Sequence, residues 1–193
     1  MSRGLLIVIS GPSAVGKDTI VKRLLEVDPR IRYSVSYTTR PRREYEVDGR
    51  HYTFVNEPEF ATLAADGEFL EHARYGGYLY GTSAARVEEA RSKGFDILLK
   101  IDVQGAAQVR RRMPDGIFIF IEPPSMEELV RRRQERGSEP EEVIAARQRA
   151  AELEMGFADQ YDYIVVNDDL ERAVNEIKEI IERERAARGA AAS

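Results

Sequence analysis

Leu5-Leu6-Ile7-Val8-Ile9-Ser10, then Gly11-Pro12-Ser13-Ala14-Val15-Gly16-Lys17-Asp18-Thr19, then Ile20, Val21, Leu24 and Leu25 at helical spacing: this stretch decides the fold. The opening run is apolar, branched and uninterrupted, the pattern of a strand buried on both faces. The closing residues fall on one stripe of a helix. Between them the glycines and the lysine stand at the spacing of a P-loop. Gly11 and Gly16 let the backbone turn its N–H groups inward around phosphate oxygens, the helix N-terminus adds a favourable dipole, and Lys17 reaches the terminal phosphates of a nucleotide. A glycine-rich turn carrying a surface lysine is the bland alternative. The flanking strand and helix argue against it.

One position departs from that pattern. After the lysine the motif asks for a serine or threonine, whose hydroxyl ligates magnesium, and here stands Asp18. Its carboxylate could meet magnesium directly or through water, but it adds negative charge beside the nucleotide's own, and contact through water is the reading preferred. Alternatively Asp18 points away and Thr19 lies against the α-phosphate.

Outward from the loop, short apolar runs recur at Asp96 to Ile101, Gly116 to Ile121 and Tyr163 to Val166, separated by amphipathic stretches. Alternation of this kind predicts an α/β fold with a parallel sheet. Ser125 with Glu128, and Ser138 with Glu141 around Pro140, match the capping box, so helices are expected over Ser125 to Arg136 and Pro140 to Met155. The segment Ile31 to Gly81, with Tyr and Thr around several glycines, predicts a small, mostly antiparallel insertion. The last dozen residues offer little to bury beyond the helix containing Ile177 and Ile180, so fraying is expected there.

Composition narrows the chemistry. A chain of 193 residues with 42% hydrophobic content suits one domain, and no apolar run is long enough to span a membrane. Met1 to Arg3 leads straight into the strand with no cleavable signal, an arrangement expected of a cytoplasmic protein. No cysteine and two histidines exclude thiolate chemistry and a histidine-based zinc site, leaving a hard, oxygen-bound metal. A net charge of −5 argues against nucleic acid or membrane as partner. The clusters Arg40 to Arg43, Arg110 to Arg112 and Arg131 to Arg136 suggest small polyanions or solvated helix faces.

A P-loop says nucleotide without saying what is done with it. Ser34-Val-Ser-Tyr-Thr-Thr-Arg40-Pro-Arg-Arg43, with Glu46-Val-Asp-Gly49 and Tyr52, resembles the GMP-binding signature of guanylate kinases. The resemblance continues in order through Phe69-Leu-Glu71, Tyr80-Gly81-Thr82, Ile101-Asp102-Val-Gln-Gly105, Pro123-Pro-Ser125, Arg136-Gly137 and Val166-Asn167-Asp-Asp-Leu170. It implies an α/β fold in which a P-loop parallel sheet flanked by helices carries a small mixed GMP-binding insertion and a helical lid. The implied parts are a core (1–34, 83–124 and 156–193), a GMP-binding region (35–82) and a lid (125–155). The implied reaction moves the γ-phosphoryl of ATP, with magnesium, to GMP and also dGMP.

The resemblance implies residue roles that chemistry supports. Arg40 and Arg43, with the hydroxyls of Tyr52 and Tyr80, match the GMP phosphate clamp; guanidinium forks suit phosphate. Arg42 competes with Arg43, and the spacing from Arg40 favours Arg43. Glu71 matches the reader of the guanine edge, whose N1 and N2 both donate, while Ser36, Thr82 and Asp102 match its other contacts. On pattern alone Glu71 and Asp102 equally suit strand ends in solvent, and the tyrosines equally suit packing. Arg132 and Arg136, four apart on one helical face, and Arg147 match the lid arginines. Pro12, Ser13, Ala14 and Val15 complete the ATP loop, and Asn167 matches the adenine contact. Lys100 is a second departure, standing where family members often carry an acid; it would sit near phosphate or cross the sheet edge. Two rival functions remain: a kinase for another monophosphate, and a phosphopeptide-binding scaffold module of similar fold. Oligomeric state, monomer or small homo-oligomer, is left open.

Overall fold

The computed structural model describes residues 3–134 and 141–191, with the side chains of 132–134, 141–147 and 191 excepted. The strands are β1 (Leu6–Ser10), β2 (Ile31–Tyr33), β3 (Tyr37–Thr38), β4 (Thr53–Phe54), β5 (Phe69–Tyr75), β6 (Tyr78–Ser83), β7 (Asp96–Lys100), β8 (Ile117–Glu122) and β9 (Tyr163–Val166). The helices are α1 (Lys17–Val27), α2 (Glu57–Ala65), α3 (Ala84–Ser92), α4 (Val103–Arg112), α5 (Met126–Gln134), α6 (Glu141–Met155) and α7 (Leu170–Ala191). Five strands form one sheet in the order β2-β7-β1-β8-β9, and four form another in the order β4-β3-β6-β5. The mixed α/β architecture expected from the sequence is therefore present.

Two compact units divide the chain. The first comprises the residues up to Ile7, Arg30–Leu99 and Gln104–Gly116. In it β2 runs parallel to β7, with Ile31 opposite Asp96. Ile31 to Tyr33 thus belongs to the main sheet, a correction to the reading that placed it with the insertion; its three residues are too few to show a period. The insertion sheet is mixed: β3 pairs β4 in parallel, while β6 pairs both β3 and β5 antiparallel. Gly76 and Gly77, at φ 57° and 87°, make the two-residue turn between β5 and β6 that a right-twisted hairpin requires. Helix α2, which the sequence reading missed, is closed by a capping box: Asn56 accepts from the Glu59 amide at 2.8 Å, and Glu59 accepts from the Asn56 amide at 2.9 Å.

The second unit comprises Val8–Pro29, Lys100–Val103 and the chain from Ile117 onward. Here β8 runs parallel to β9, and Ile117 to Ile121 are buried throughout, as a central strand covered on both faces must be. Ser125 caps α5 by accepting from the Glu128 amide at 3.1 Å, whereas the Glu128 carboxylate takes Arg131. The second expected capping box, at Ser138, lies outside the described residues. Helix α7 is longer than expected and continues to Ala191. Its late turns are anchored: Glu184 accepts from the Tyr163 hydroxyl at 2.7 Å, and Arg185 Nη1 donates to Asp28 Oδ2 at 2.6 Å.

Asp28 and Arg185 are both largely withdrawn from water, at 5% and 15% side-chain exposure. Removing one partner leaves the other's buried charge less compensated, whereas removing both does not. Arg185→Met should therefore lower stability by roughly 3 kcal/mol, a fall in Tm of roughly 6–12 °C. Asp28→Asn in the same chain should restore part of that loss in thermal melts.

Candidate functional site

The loop from Gly11 to Thr19 begins where β1 ends, the end of a parallel strand at which α/β folds bind ligands. Gly11 sits at φ 146°, and a Cβ there would lie 2.3 Å from the Ile121 carbonyl oxygen, so only glycine fits. Gly16, at φ 103°, forms the N-cap of α1. A Cβ on Gly16 would lie 2.4 Å from Asn167 Nδ2. That same Nδ2 donates to the Val15 carbonyl at 2.7 Å, and Asn167 is buried. Its side chain is thus fastened to the backbone of the loop through Nδ2. Ala14 holds φ 69°, a left-handed conformation that an L-residue adopts at a cost.

Lys17 Nζ donates to the carbonyls of Gly11 at 2.5 Å and Pro12 at 2.9 Å, so its ammonium lies on the rim of the loop. Burial lowers its pKa from 10.5 to about 8; Glu154 opposes this, the Lys100 charge adds to it, and Asp18 and Asp102 oppose it. Asp102, expected among the guanine contacts, therefore exerts its charge on Lys17, in the second unit. Glu154, on α6, was not singled out in the sequence, where nothing distinguishes it from other helix-surface acids. Asp18 is exposed in the first turn of α1, and Lys100 Nζ donates to its Oδ1. The two departures from the motif are partners of each other.

The acceptor candidates of the first unit lie on the insertion sheet and the segment after β3. Thr38 Oγ1 donates to the Leu79 carbonyl at 3.0 Å and accepts from the Arg40 amide at 3.1 Å, while Thr39 Oγ1 accepts from the Leu79 amide at 3.0 Å. These hydroxyls stitch the Thr-Thr-Arg segment to β6. Arg40 then donates to Glu46 Oε1 at 2.6 Å, and its guanidinium lies 5.4 Å from the Tyr52 ring centroid. Tyr52 and Tyr80 meet edge-on at 5.9 Å, so three of the four expected clamp residues converge. Arg43 does not join them: its guanidinium donates to the exposed Tyr45 hydroxyl at 2.8 Å.

Glu46 is the residue the sequence reading missed in this group. Both its oxygens are engaged, one by Arg40 and the other by the Arg43 amide at 2.8 Å, and the Arg40 hydrogen bond holds its carboxyl below the usual range. A single acid following a run of arginines was the available signal. On the neighbouring strands, Glu71 and Thr82 stand opposite each other, both buried, with the threonine hydroxyl donating to Glu71 Oε1 at 2.6 Å. Ser36 is buried just before β3. Neither Glu71 nor Thr82 is a solvent-facing strand end. Of the lid arginines, Arg136 lies outside the described residues; Arg132 and Arg147 stand on α5 and α6, and their side chains also lie outside them.

Two measurements follow from the loop. Lys17 carries its charge fully below about pH 7 and loses it as pH rises through about 8. Calorimetric titration should therefore find ADP binding weakening above pH 8, approaching tenfold per pH unit, roughly the limit for loss of one required proton. Between pH 8 and 10.5 the folded state holds fewer protons at this group than the unfolded one, so its contribution to stability rises with pH there. For Asn167, replacement by Ala should weaken ATP, GTP and inorganic tripolyphosphate alike, by about three- to tenfold, from loss of one buried hydrogen bond. Unchanged tripolyphosphate binding would instead make Asn167 a base contact.

The guanylate kinase family profile matches residues 3–184. A guanylate kinase of Desulfitobacterium hafniense is 47% identical over 180 residues, covering 93% of this chain and 90% of that protein. One of Syntrophotalea carbinolica is 50% identical over 178 residues, covering 92% and 85% respectively. Among solved structures, a guanylate kinase of Anaplasma phagocytophilum superposes with a TM-score of 0.78 at 38% identity, covering 95% of this chain and 87% of the other. A shikimate kinase of Bacteroides thetaiotaomicron, 17% identical with a TM-score of 0.51, shares the fold alone. With the loop, the Arg40 cluster and the Glu71–Thr82 pair in place, similarity of this extent makes the chain a member of the guanylate kinase family.

Proposed function

We propose that the chain transfers the γ-phosphoryl group of ATP to GMP, giving ADP and GDP, within cytoplasmic purine nucleotide metabolism. The observation that carries the reading is the buried Glu71–Thr82 pair on the insertion sheet, beside the strand that fastens Arg40. A buried carboxylate oriented by a hydroxyl accepts from guanine N1 and N2, whereas adenine presents an acceptor at N1. Ser36 and Asp102 are assigned to the same base. Arg40, Tyr52 and Tyr80, joined by Arg43 once it leaves Tyr45, would seat the GMP phosphate. dGMP offers the same base and phosphate and is expected to be accepted.

The acceptor is an anionic phosphate oxygen, so transfer needs no strong base: that oxygen bonds to the γ-phosphorus as the bond to the β-bridging oxygen breaks and ADP departs. Positioning and charge neutralisation are then the work of the protein. Gly11 to Thr19 would cradle the ATP phosphates with Lys17 on the terminal ones. Arg132, Arg136 and Arg147, in a lid spanning 125–155, would neutralise the phosphoryl in transfer and exclude water. The core (1–34, 83–124 and 156–193) would carry ATP, and region 35–82 GMP.

Among the described residues no cluster of three or more His, Cys, Asp or Glu could hold a metal. A magnesium ion carried in by ATP needs few protein oxygens beyond the phosphates, and the Asp18 carboxylate in the first turn of α1 is a hard oxygen donor of the kind it takes. Asp18 would hold it through water, and the ion would supply charge neutralisation at the phosphate oxygens.

A coupled ADP-release assay comparing GMP with AMP, UMP and CMP tests the reading. GMP should lead AMP by about 10⁴ in kcat/KM, the scale set by unpaired buried polar groups, and Glu71→Gln should remove most of that margin. Equal use of AMP and GMP would sink the guanine assignment.

A further inference from the structure

Asp18 and Lys100 depart from the motif at two positions far apart in sequence and meet as one ion pair. Asp18 is 74% exposed and Lys100 22% exposed. An ion pair that open to water adds little to stability, so folding does not account for it. Its location is more informative. Lys100 ends β7, where the Ile101 amide donates to the Ile9 carbonyl at 3.3 Å, and Asp18 follows Lys17 in the first turn of α1. The Lys100 charge is felt at Lys17, which itself sits on the loop carbonyls. Two ammonium groups are thus gathered at one phosphate loop, an arrangement unfavourable by itself and favourable with a polyanion present.

The exchange also alters local charge. A loop with a hydroxyl at position 18 and an acid at position 100 would surround Lys17 with that acid, Asp102 and Glu154. Here the pair is neutral overall, which leaves the neighbourhood of Lys17 less negative, with the added cation on the buried side of the pair.

We propose that Lys100 is a second phosphate-binding ammonium of the donor site, steadied by Asp18, and that it lets nucleotide phosphates bind with less dependence on a divalent cation. The proposal rests on the donor-loop reading above and is independent of the identity of the acceptor. In this arrangement Asp18 is a positioning residue whose carboxylate serves Lys100 when no magnesium is held, and which turns to the ion's water when magnesium arrives with the nucleotide.

Calorimetric binding of ADP to the full chain, in excess EDTA and in excess magnesium, tests it. Lys100→Met should weaken binding by about tenfold or more in EDTA and by less than about threefold in magnesium, the larger loss corresponding to about 1.4 kcal/mol. Lys100→Arg should stay within about threefold of the parent in both media, because it keeps a cation at the site. The doubly neutral variant Lys100→Met with Asp18→Asn is decisive. If Lys100 touches phosphate, this variant remains at least about fivefold weaker in EDTA, a loss of about 1 kcal/mol. If it binds like the parent in both media, the pair only cancels charge and the proposal is overturned. Equal weakening of Lys100→Met in the two media overturns it as well. Parent protein that binds no ADP, or a Lys17→Met variant that binds it normally, would remove the donor-loop reading and this proposal together.

Discussion

The loop from Gly11 to Thr19 depends on one close approach. Where β1 ends, the chain passes so near the Ile121 carbonyl oxygen that no side chain fits, and Gly11 takes a left-handed φ that turns the backbone out of the sheet. Everything that follows uses that turn. Because the loop curls there, its Gly11 and Pro12 carbonyls face Lys17, which can return to them from the start of α1. Because the loop closes at Gly16 with no Cβ, Asn167 can lie against it and hold the Val15 carbonyl. Strand β8, buried throughout, thus sets the shape of the loop, and the burial of Lys17 within it lowers the pKa of its ammonium.

The acceptor group is built on a different principle. Short strands of two residues supply little pairing of their own, so side-chain hydroxyls and carboxylates do the fastening. Thr38 and Thr39 tie the chain to β6, Glu46 draws Arg40 and the Arg43 amide together, and Thr82 fixes Glu71. A bulge between Phe69 and Glu71 brings Glu71 opposite Thr82. Arg40 and Glu71 are thereby each oriented by a neighbour, which would reduce the ordering cost of any binding there. Arg43 is the exception, since its partner Tyr45 is exposed and easily exchanged.

How much of this was legible in the sequence follows from the range of each interaction. The strands β1, β7 and β8 and the loop could be read because burial on both faces, or a glycine spacing, leaves a local imprint. Strand β2 could not, since three residues in a parallel sheet carry no period, and α2 was hidden among tyrosines and threonines although its Asn56 and Glu59 spell a capping box. Arg40, Tyr52, Tyr80, Glu71 and Thr82 were found through family resemblance, and the structure supplies their contacts. Glu46 sat inside the quoted motif without a role. The Asn167–Val15 bond and the Asp18–Lys100 pair join distant positions, and such contacts write nothing into local sequence.

Ala14 shows how far the loop is determined by its surroundings. It is the one described residue other than glycine at positive φ, and an L-residue there is disfavoured by about 1–2 kcal/mol. An isolated turn would relax to another conformation. Here Gly11 is fixed by Ile121, Val15 is buried and held by Asn167, and the Val15 amide closes onto the Pro12 carbonyl at 3.3 Å, so both flanks of Ala14 are pinned. Strain that persists under such constraint belongs to a site whose geometry is set before its ligand arrives. A loop held that rigidly cannot adapt its charge by moving. Adjusting the cations around it, as the Asp18–Lys100 pair does, is then the available route for tuning how strongly it holds phosphate.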